Sequence, residues 1–216
     1  ANVSEVAKGV GADKRIGSGF FDAGLGYGGS CFPKDVDSLI HTANEIGPGF
    51  DLLREVVEIN ENRISRFVDR IVERIGEGGE KPLAGRVIAI LGLAFKPETD
   101  DMREAKSVPL CRMLMDCGAR LRAYDPIAIN NAKKILGEEN IEYCRSAYDA
   151  AKGADAAVIA TEWREFIQLD LDRIREALSG SVIFDGRNIY VPAQVAKAGI
   201  EYHCIGRAPT LPEEKG

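Results

Sequence analysis

The sequence predicts an α/β fold in which an all-helical segment is followed by a doubly wound parallel sheet. Up to residue 75 the apolar residues recur every three or four positions, as on one face of a helix. After residue 85, short β-branched runs alternate with helical stretches. This alternation is typical of a parallel sheet that is covered by helices on both faces.

The helical segment contains two clear helices. The stretch 34–47 has apolar residues three and four positions apart and ends on Gly47 with Pro48 next, which is a helix stop signal. One apolar stripe then runs from Phe50 to Ile75, for about seven turns. A helix of this length needs more than one neighbour to bury its stripe. A second subunit and a neighbour within the same domain both meet that need.

The glycine-rich stretch GEGGEKPLAG at 76–85 has neither helical nor strand periodicity and is interpreted as a linker. We therefore expect two domains, 1–78 and 79–216. In the second domain the pattern predicts strands at 86–92, 120–126, 155–161 and 181–186, and helices at about 105–117, 128–136, 146–152 and 170–178. In such sheets the ligand lies beyond the carboxyl ends of the strands, so the residues after each strand are the candidates for a site.

Composition excludes several classes of function. The 216 residues carry a net charge of −6 with no dense basic cluster, which argues against nucleic acid as a partner. No apolar run is long enough to span a bilayer and no signal-peptide pattern opens the chain, so we expect a cytoplasmic protein. Five widely spaced cysteines without C-x-x-C argue against a disulfide framework and against a zinc or other metal site.

Charged residues follow two of the predicted strands. Lys96 offers a point charge for phosphate and Arg103 a forked contact, although a solvated loop of mixed charge fits the same stretch. Arg187, after the last predicted strand, adds a cation for a diphosphate at the same edge. Asp125 falls about where a Rossmann unit places its ribose-binding acid, but Asp-Pro also commonly starts a turn.

The loop GLGYGGSCFPKD at 24–35 raises the question of a reactive thiol. Its four glycines permit close approach of the backbone to a ligand. Cys31 precedes a helix whose dipole, with Lys34, favours the thiolate, and Asp35 is placed to orient water or substrate. The alternative is a small buried cysteine, which fits Cys111, Cys117, Cys144 and Cys204. Local chemistry leaves both interpretations open for Cys31.

Five motifs resemble those of the UDP-glucose/GDP-mannose dehydrogenase family. They are GYGGSCFPKD at 26–35, LGLAFKPETDDMRE at 91–104, AYDP at 123–126, ATEW at 160–163 and FDGRN at 184–188. They follow the family's order over nearly the whole chain. The resemblance implies a central dimerisation segment and a C-terminal, Rossmann-like UDP-binding domain.

The resemblance also implies a reaction. Family members oxidise the C6 hydroxyl of a nucleotide sugar to a carboxylate with two NAD⁺, through a cysteine thiohemiacetal and a thioester. Cys31 matches the nucleophile, and Asp35 matches the aspartate that assists the water and proton steps. The implied substrate is UDP-glucose and the product UDP-glucuronate. GDP-mannose is the alternative substrate, and a catalytically silent nucleotide-binding or dimerisation module is the alternative of another class.

Further residues match binding positions of the family. The positions that match substrate contacts are Arg15, which would reach the neighbouring subunit's substrate, and Tyr27, Gly28, Phe95, Lys96 and Arg187. Lys34 and Arg103 match positions that approach NAD, and the helix 50–75 matches the central dimer helix. Asp22 departs from the pattern because some relatives carry a basic residue there.

The start of the chain suggests that it is the later part of a longer protein. It opens at Ala1, without methionine, in helix-like sequence, whereas family members begin with a G-x-G-x-x-G Rossmann domain that binds most of the NAD. We therefore expect these 216 residues to bind the nucleotide sugar but not to turn it over by themselves. Formation of NADH from UDP-glucose by this chain alone would contradict that expectation.

Overall fold

A computed structural model describes residues 2–29, 32–47 and 49–213. Three helices come first: α1 (Val3–Gly11), α2 (Phe32–Ile46) and α3 (Asp51–Ile75). The bounds of α3 confirm the long helix predicted from the apolar stripe. α2 begins two residues earlier than predicted, with Pro33 in its first turn, where its missing N–H costs no helical hydrogen bond.

A six-stranded parallel sheet forms the rest of the chain, in the order β3-β2-β1-β4-β5-β6. The strands are β1 (Val87–Leu91), β2 (Arg120–Tyr124), β3 (Ile141–Tyr143), β4 (Ala156–Ile159), β5 (Val182–Asp185) and β6 (Glu201–Cys204). The helices between them are α4 (Ser107–Asp116), α5 (Ile129–Leu136), α6 (Ala147–Ala151), α7 (Arg164–Ile167), α8 (Leu171–Ala177) and α9 (Pro192–Lys197). The predicted Rossmann-like α/β fold is confirmed, whereas the domain boundary at residue 78 stays a prediction.

The sheet is covered on both faces. β4 and β5 are buried at every position and β1 at all but its first, which explains their continuous apolar sequences. The crossover between β3 and β4 places the carboxyl ends of β1 and β4 side by side at the centre of the sheet. That edge is where the candidate site lies.

The two halves of α3 have different surroundings. In the half nearer its carboxyl end the buried residues are Ile64, Phe67, Val68 and Ile71, and the Phe67 ring meets Phe184 of β5 edge-on at 6.5 Å. The other half exposes Leu52, Val56 and Ile59 along one face. The sheet domain is therefore one of the neighbours that the long stripe requires, and the exposed half is available to another.

In the described part of the chain, the helices are each too short or too polar to cross a membrane.

Candidate functional site

A cavity of about 850 Å³ lies between the carboxyl ends of β1, β4 and β5 and the glycine-rich loop before α2. Ala94 and Phe95 contribute from the loop after β1, Ala160 and Glu162 from the loop after β4, and Arg187 from the loop after β5. Its volume lies within the range of small-molecule sites. The location agrees with the rule for ligands of open parallel sheets.

Two glycines of the loop are needed for its close packing against the segment after β1. A Cβ on Gly28 would collide with the carbonyl oxygen of Glu104. A Cβ on Gly29, whose φ is +86°, would lie 2.8 Å from the ring of Phe95. These absent side chains bring the loop against Phe95 and so close one wall of the cavity.

Asn60 of α3 fixes the backbone of the loop at Tyr27. The Tyr27 N–H donates to Asn60 Oδ1 at 2.7 Å, and Asn60 Nδ2 donates back to the Tyr27 carbonyl at 3.3 Å. Asn60 is a buried polar residue in the otherwise apolar stripe of α3. The two hydrogen bonds to Tyr27 satisfy its amide group and so explain its presence there. The Tyr27 ring also meets Phe32 edge-on at 4.8 Å, which extends the aromatic wall.

Three cations and two carboxylates line the cavity among the described residues. The cations are Lys96, Lys106 and Arg187, and the carboxylates are Asp22 and Glu162. Arg187 Nη2 donates a hydrogen bond to Glu162 Oε1 at 2.8 Å, and Arg187 Nε lies in an ion-pair contact 2.7 Å from Glu162 Oε2. These two contacts to one carboxylate restrict the direction of the guanidinium group.

The turn that carries Arg187 is built on Asp185, the last residue of β5. This buried carboxylate accepts the N–H of Arg187 at 2.7 Å, the N–H of Ile189 at 2.8 Å and the hydroxyl of Tyr202 at 2.6 Å. Burial raises the pKa of Asp185, and these donated hydrogen bonds oppose the rise. The direction in which Arg187 leaves the strand is thereby fixed.

Asp125 forms a similar hub at the end of β2. Its carboxylate is fully buried and accepts the N–H groups of Leu93, Ala94, Ile127 and Ala128 and the indole N–H of Trp163, at 2.7 to 3.1 Å. No access remains for a ribose hydroxyl. The ribose-binding interpretation of Asp125 is therefore wrong, and the turn-forming interpretation is correct.

The structure brings together some of the predicted site residues. Those that line the cavity are Tyr27, Gly28, Phe95, Lys96 and Arg187. Lys34 and Asp35 lie exposed in the first turn of α2, outside the cavity lining. Cys31 lies outside the described residues.

The two predicted arginines Arg15 and Arg103 lie away from the cavity. Arg15 is in an exposed turn, where it pairs with Asp13 at 2.6 Å. Arg103 pairs with Asp101 at 2.7 Å and lowers the pKa of that carboxyl to about 2. Arg103 borders a separate cavity of about 540 Å³, next to α5.

Lys106 and Glu162 are the charged lining residues that the sequence did not single out. Glu162 belongs to ATEW, directly after β4, so its position at a strand end was the available signal. Lys106 is the N-cap residue of α4 and lies fifteen residues after Leu91, the last residue of β1. Only the folding of that loop back over the sheet edge brings Lys106 to the cavity.

The other cysteines fit a structural role. Cys111, Cys144 and Cys204 are buried, and Cys117 is half-buried. Burial raises the pKa of Cys111 to about 12 and that of Cys144 to about 11, so both thiols stay protonated at neutral pH. This agrees with the interpretation of these residues as small buried hydrophobes.

Two models of one protein family match the chain. The model of the central domain of the UDP-glucose/GDP-mannose dehydrogenase family matches residues 1–62, and that of the family's UDP binding domain matches residues 89–192. Together they cover more than half of the chain. The chain belongs to this family. The resemblance of the five motifs is thereby confirmed.

Curated relatives extend the match beyond the two models. UDP-glucose 6-dehydrogenase YwqF of Bacillus subtilis is 43% identical over 212 residues, which are 98% of this chain and 47% of the relative. The UDP-glucose 6-dehydrogenase of Rhizobium meliloti is 44% identical over 207 residues, 96% of this chain and 46% of the relative. The chain therefore spans about half the length of the curated relatives it matches.

Solved structures of the family share the fold. A UDP-glucose dehydrogenase from Pyrobaculum islandicum superposes with a TM-score of 0.78 at 36% identity, over 94% of this chain and 43% of that one. A UDP-D-ManNAc dehydrogenase from Pyrococcus horikoshii gives 0.75 at 29% identity, over 96% of this chain and 44% of that one.

Proposed function

We propose that this chain is part of an NAD-dependent UDP-glucose 6-dehydrogenase and that its cavity binds the nucleotide sugar. The observation that carries the proposal is the convergence of Lys96, Arg187, Tyr27 and Phe95 on one cavity at the carboxyl edge of the sheet. A site lined by both cations and aromatic rings suits a diphosphate that links a base to a sugar.

In this proposal Lys96 and Arg187 hold the diphosphate. Lys96 acts as a point charge, while Arg187, with Nε and Nη2 engaged by Glu162, offers its remaining N–H groups. Tyr27, Gly28 and Phe95 line the sugar side. The glycine-rich loop lets backbone N–H groups approach the ligand without side chains in between.

The proposed chemistry uses Cys31 as the nucleophile. Oxidation of the C6 hydroxyl gives an aldehyde, and the Cys31 thiolate adds to its carbon as a thiohemiacetal. Loss of a second hydride leaves a thioester, and water, assisted by Asp35, hydrolyses it to the carboxylate and the free thiol. Each of the two oxidations would need its own NAD⁺, which would supply the hydride acceptor for that step. Because the thiol must be free, we also propose a reducing, cytoplasmic location.

Lys34 and Arg103 are the side chains of this chain that we assign to the cofactor. Both are exposed cations, which fits contact with a pyrophosphate or a 2′,3′-diol through their N–H donors. Their place outside the substrate cavity is consistent with separate contacts for substrate and cofactor.

We further propose that the exposed half of α3 pairs with a second copy of the chain. Leu52, Val56 and Ile59 are spaced four and three residues apart and are 74%, 42% and 43% exposed. α2 adds Leu39 and Ile46, which are also exposed. Arg15, in its exposed turn, would then reach the substrate of the partner.

Calorimetric titration with UDP-glucose, UDP and GDP tests the proposed substrate. We expect UDP and UDP-glucose to bind and GDP to bind more weakly. Preference for GDP would support a GDP-mannose enzyme instead. Absence of binding by all three nucleotides would contradict the proposed site.

Alkylation separates an enzyme from a silent binding module. An activated Cys31 should react with iodoacetamide at neutral pH faster than a model thiol, because thiolate is the reacting form. Mass spectrometry of the modified peptides would distinguish Cys31 from the other cysteines. Reaction no faster than the model thiol would contradict the nucleophile assignment.

A further inference from the structure

The pairing of Glu162 with Arg187 places a carboxylate inside a cavity that we assign to an anionic ligand. The Glu162 side chain is 33% exposed and that of Arg187 is 24% exposed, so the pair is largely shielded from water. Glu162 accepts a hydrogen bond from Nη2 and lies within ion-pair distance of Nε of the guanidinium group. A ligand is left with the remaining N–H groups, on the side of Nη1.

Gly24 lies on that remaining side. A Cβ on Gly24 would be 2.5 Å from Arg187 Nη1, so the backbone of the glycine-rich loop approaches the free end of the guanidinium closely. Arg187 is thus confined between a carboxylate and a peptide backbone. Few of its N–H groups remain accessible to a ligand. They suit contact with a single phosphate oxygen better than contact with the three oxygens of a terminal phosphate.

The charges around the cavity limit how much negative charge a ligand can carry. Lys96, Lys106 and Arg187 against Asp22 and Glu162 leave a formal charge of +1 among the described lining residues. A nucleoside diphosphate sugar is a diester with two negative charges. The free nucleoside diphosphate carries about one more at neutral pH, because the second pKa of a terminal phosphate is about 6.

We propose that Glu162 is a specificity-determining residue that disfavours ligands with a terminal phosphate and so favours the nucleotide sugar over the free nucleotide. This inference rests on the proposed function. Discrimination arises from repulsion, since the extra negative charge of the competing ligand lies near the Glu162 carboxylate and has to share Arg187 with it. Glu162 suits this role better than Asp22, which is exposed and therefore more strongly screened by water and salt.

Titration of UDP-glucose and UDP into the wild-type chain and into Glu162→Gln tests the inference. The measured quantity is the ratio of the two dissociation constants. Removal of the charge should shift this ratio in favour of UDP by roughly threefold to tenfold, as expected for one unit charge at about 8 Å in a partly shielded site. Glu162→Ala should shift it in the same direction, whereas Glu162→Asp, which retains the charge, should keep the ratio near that of the wild type.

Glu165→Gln is the matched control. Glu165 lies three residues further along, is exposed and accepts a hydrogen bond from Tyr124 at 3.2 Å, outside the cavity lining. Its substitution should leave the ratio unchanged. An unchanged ratio in both Glu162→Gln and Glu162→Ala overturns the inference, as does an equal loss of affinity for both ligands, which would indicate that Glu162 only orients Arg187. Failure of the wild type to bind either ligand would instead contradict the proposed function, and this inference with it.

Discussion

At the scale of single residues, the cavity depends on glycines, which leave space, and on charged side chains whose direction is fixed. Gly24 leaves room for the guanidinium of Arg187, and Asp185 fixes the turn from which Arg187 extends. Asp125 does the same for the backbone that leads to Phe95 and Lys96. Buried carboxylates that accept several N–H groups suit this role because each satisfies donors that have no strand partner.

Gly24→Ala should weaken nucleotide binding with little effect on stability. The new Cβ would lie 2.5 Å from Arg187 Nη1, and the flexible end of that side chain can move away. We expect UDP affinity to fall by about 1 kcal/mol, the typical worth of a hydrogen bond, and the urea midpoint to change little. Gly9→Ala, where a Cβ meets nothing within 4 Å, is the control. Wild-type affinity in Gly24→Ala would argue against Arg187 as a ligand contact.

Asp125→Asn should destabilise the fold by about 2–4 kcal/mol. Asparagine replaces one carboxylate oxygen by an NH₂ group, which cannot accept hydrogen bonds. Some of the five N–H donors around this fully buried position would therefore lose their acceptor. Urea unfolding followed by circular dichroism measures the loss. The exposed Glu176→Gln serves as the control, and an equal effect of the two substitutions would show that Asp125 is not a structural hub.

Sequence reasoning reached Lys96 and Arg187 because they follow strands whose carboxyl ends share one edge of the sheet. It could not reach the pairing of Glu162 with Arg187, since the two residues come from different loops and no spacing rule links them. For Asp125 the dipeptide Asp-Pro indicated a turn, but the number of N–H donors that converge on it depends on the fold of three loops.

At the scale of elements, α3 is fastened to the edge strand β6 by charged side chains. Arg74 contacts Glu201 through two hydrogen bonds, at 2.7 and 2.6 Å, and Arg70 donates to the carbonyl of Cys204 at 2.8 Å. His203 contacts the same Glu201 carboxylate at 2.7 Å. Periodicity predicted α3 well because its stripe is long, but it missed β6, whose four residues carry no β-branched side chain.

Arg74→Gln should reduce stability at neutral pH by roughly 0.5–1 kcal/mol, because solvent screens the half-exposed guanidinium, and by less in acid. The hydrogen bonds from Arg74 lower the pKa of Glu201 in the folded protein. Their stabilising effect is therefore present above the ordinary glutamate pKa of about 4.3 and disappears as the pH falls through the lowered value. Urea midpoints of wild type and variant at pH 7 and pH 3 measure the difference. The exposed Arg66→Gln on the same helix is the control, and a pH-independent difference would contradict the role of Glu201.

At the scale of the whole molecule, the chain has a sheet domain with a buried core and a helical part with much exposed apolar surface. The exposed large side chains are concentrated before residue 60 and include Val6, Ile16, Leu39, Leu52 and Val56. Apolar surface of this extent is typical of protein interfaces. The apolar stripe of α3 continues into this exposed surface. Sequence periodicity does not show whether a neighbour in the same chain or a second subunit covers it.

Leu52→Asp combined with Val56→Asp should convert the proposed dimer into monomer. Burial of an aliphatic side chain contributes about 1.5–3 kcal/mol, so the double substitution should raise the dimer dissociation constant by at least roughly 100-fold. Light scattering coupled to gel filtration measures the mass. Val191→Asp, at an exposed position before α9, controls for added charge. A monomeric wild type, or an unchanged dimer in the variant, would contradict pairing through α3.

The affinity for UDP in Lys96→Ala and Arg187→Ala tests the central claim, that the cavity at the carboxyl edge of the sheet binds a nucleotide diphosphate. Calorimetry should show that each substitution weakens UDP binding by roughly 1–3 kcal/mol, as expected for charge-assisted hydrogen bonds in a shielded site. Wild-type UDP affinity in both variants would remove this edge of the sheet from the binding site.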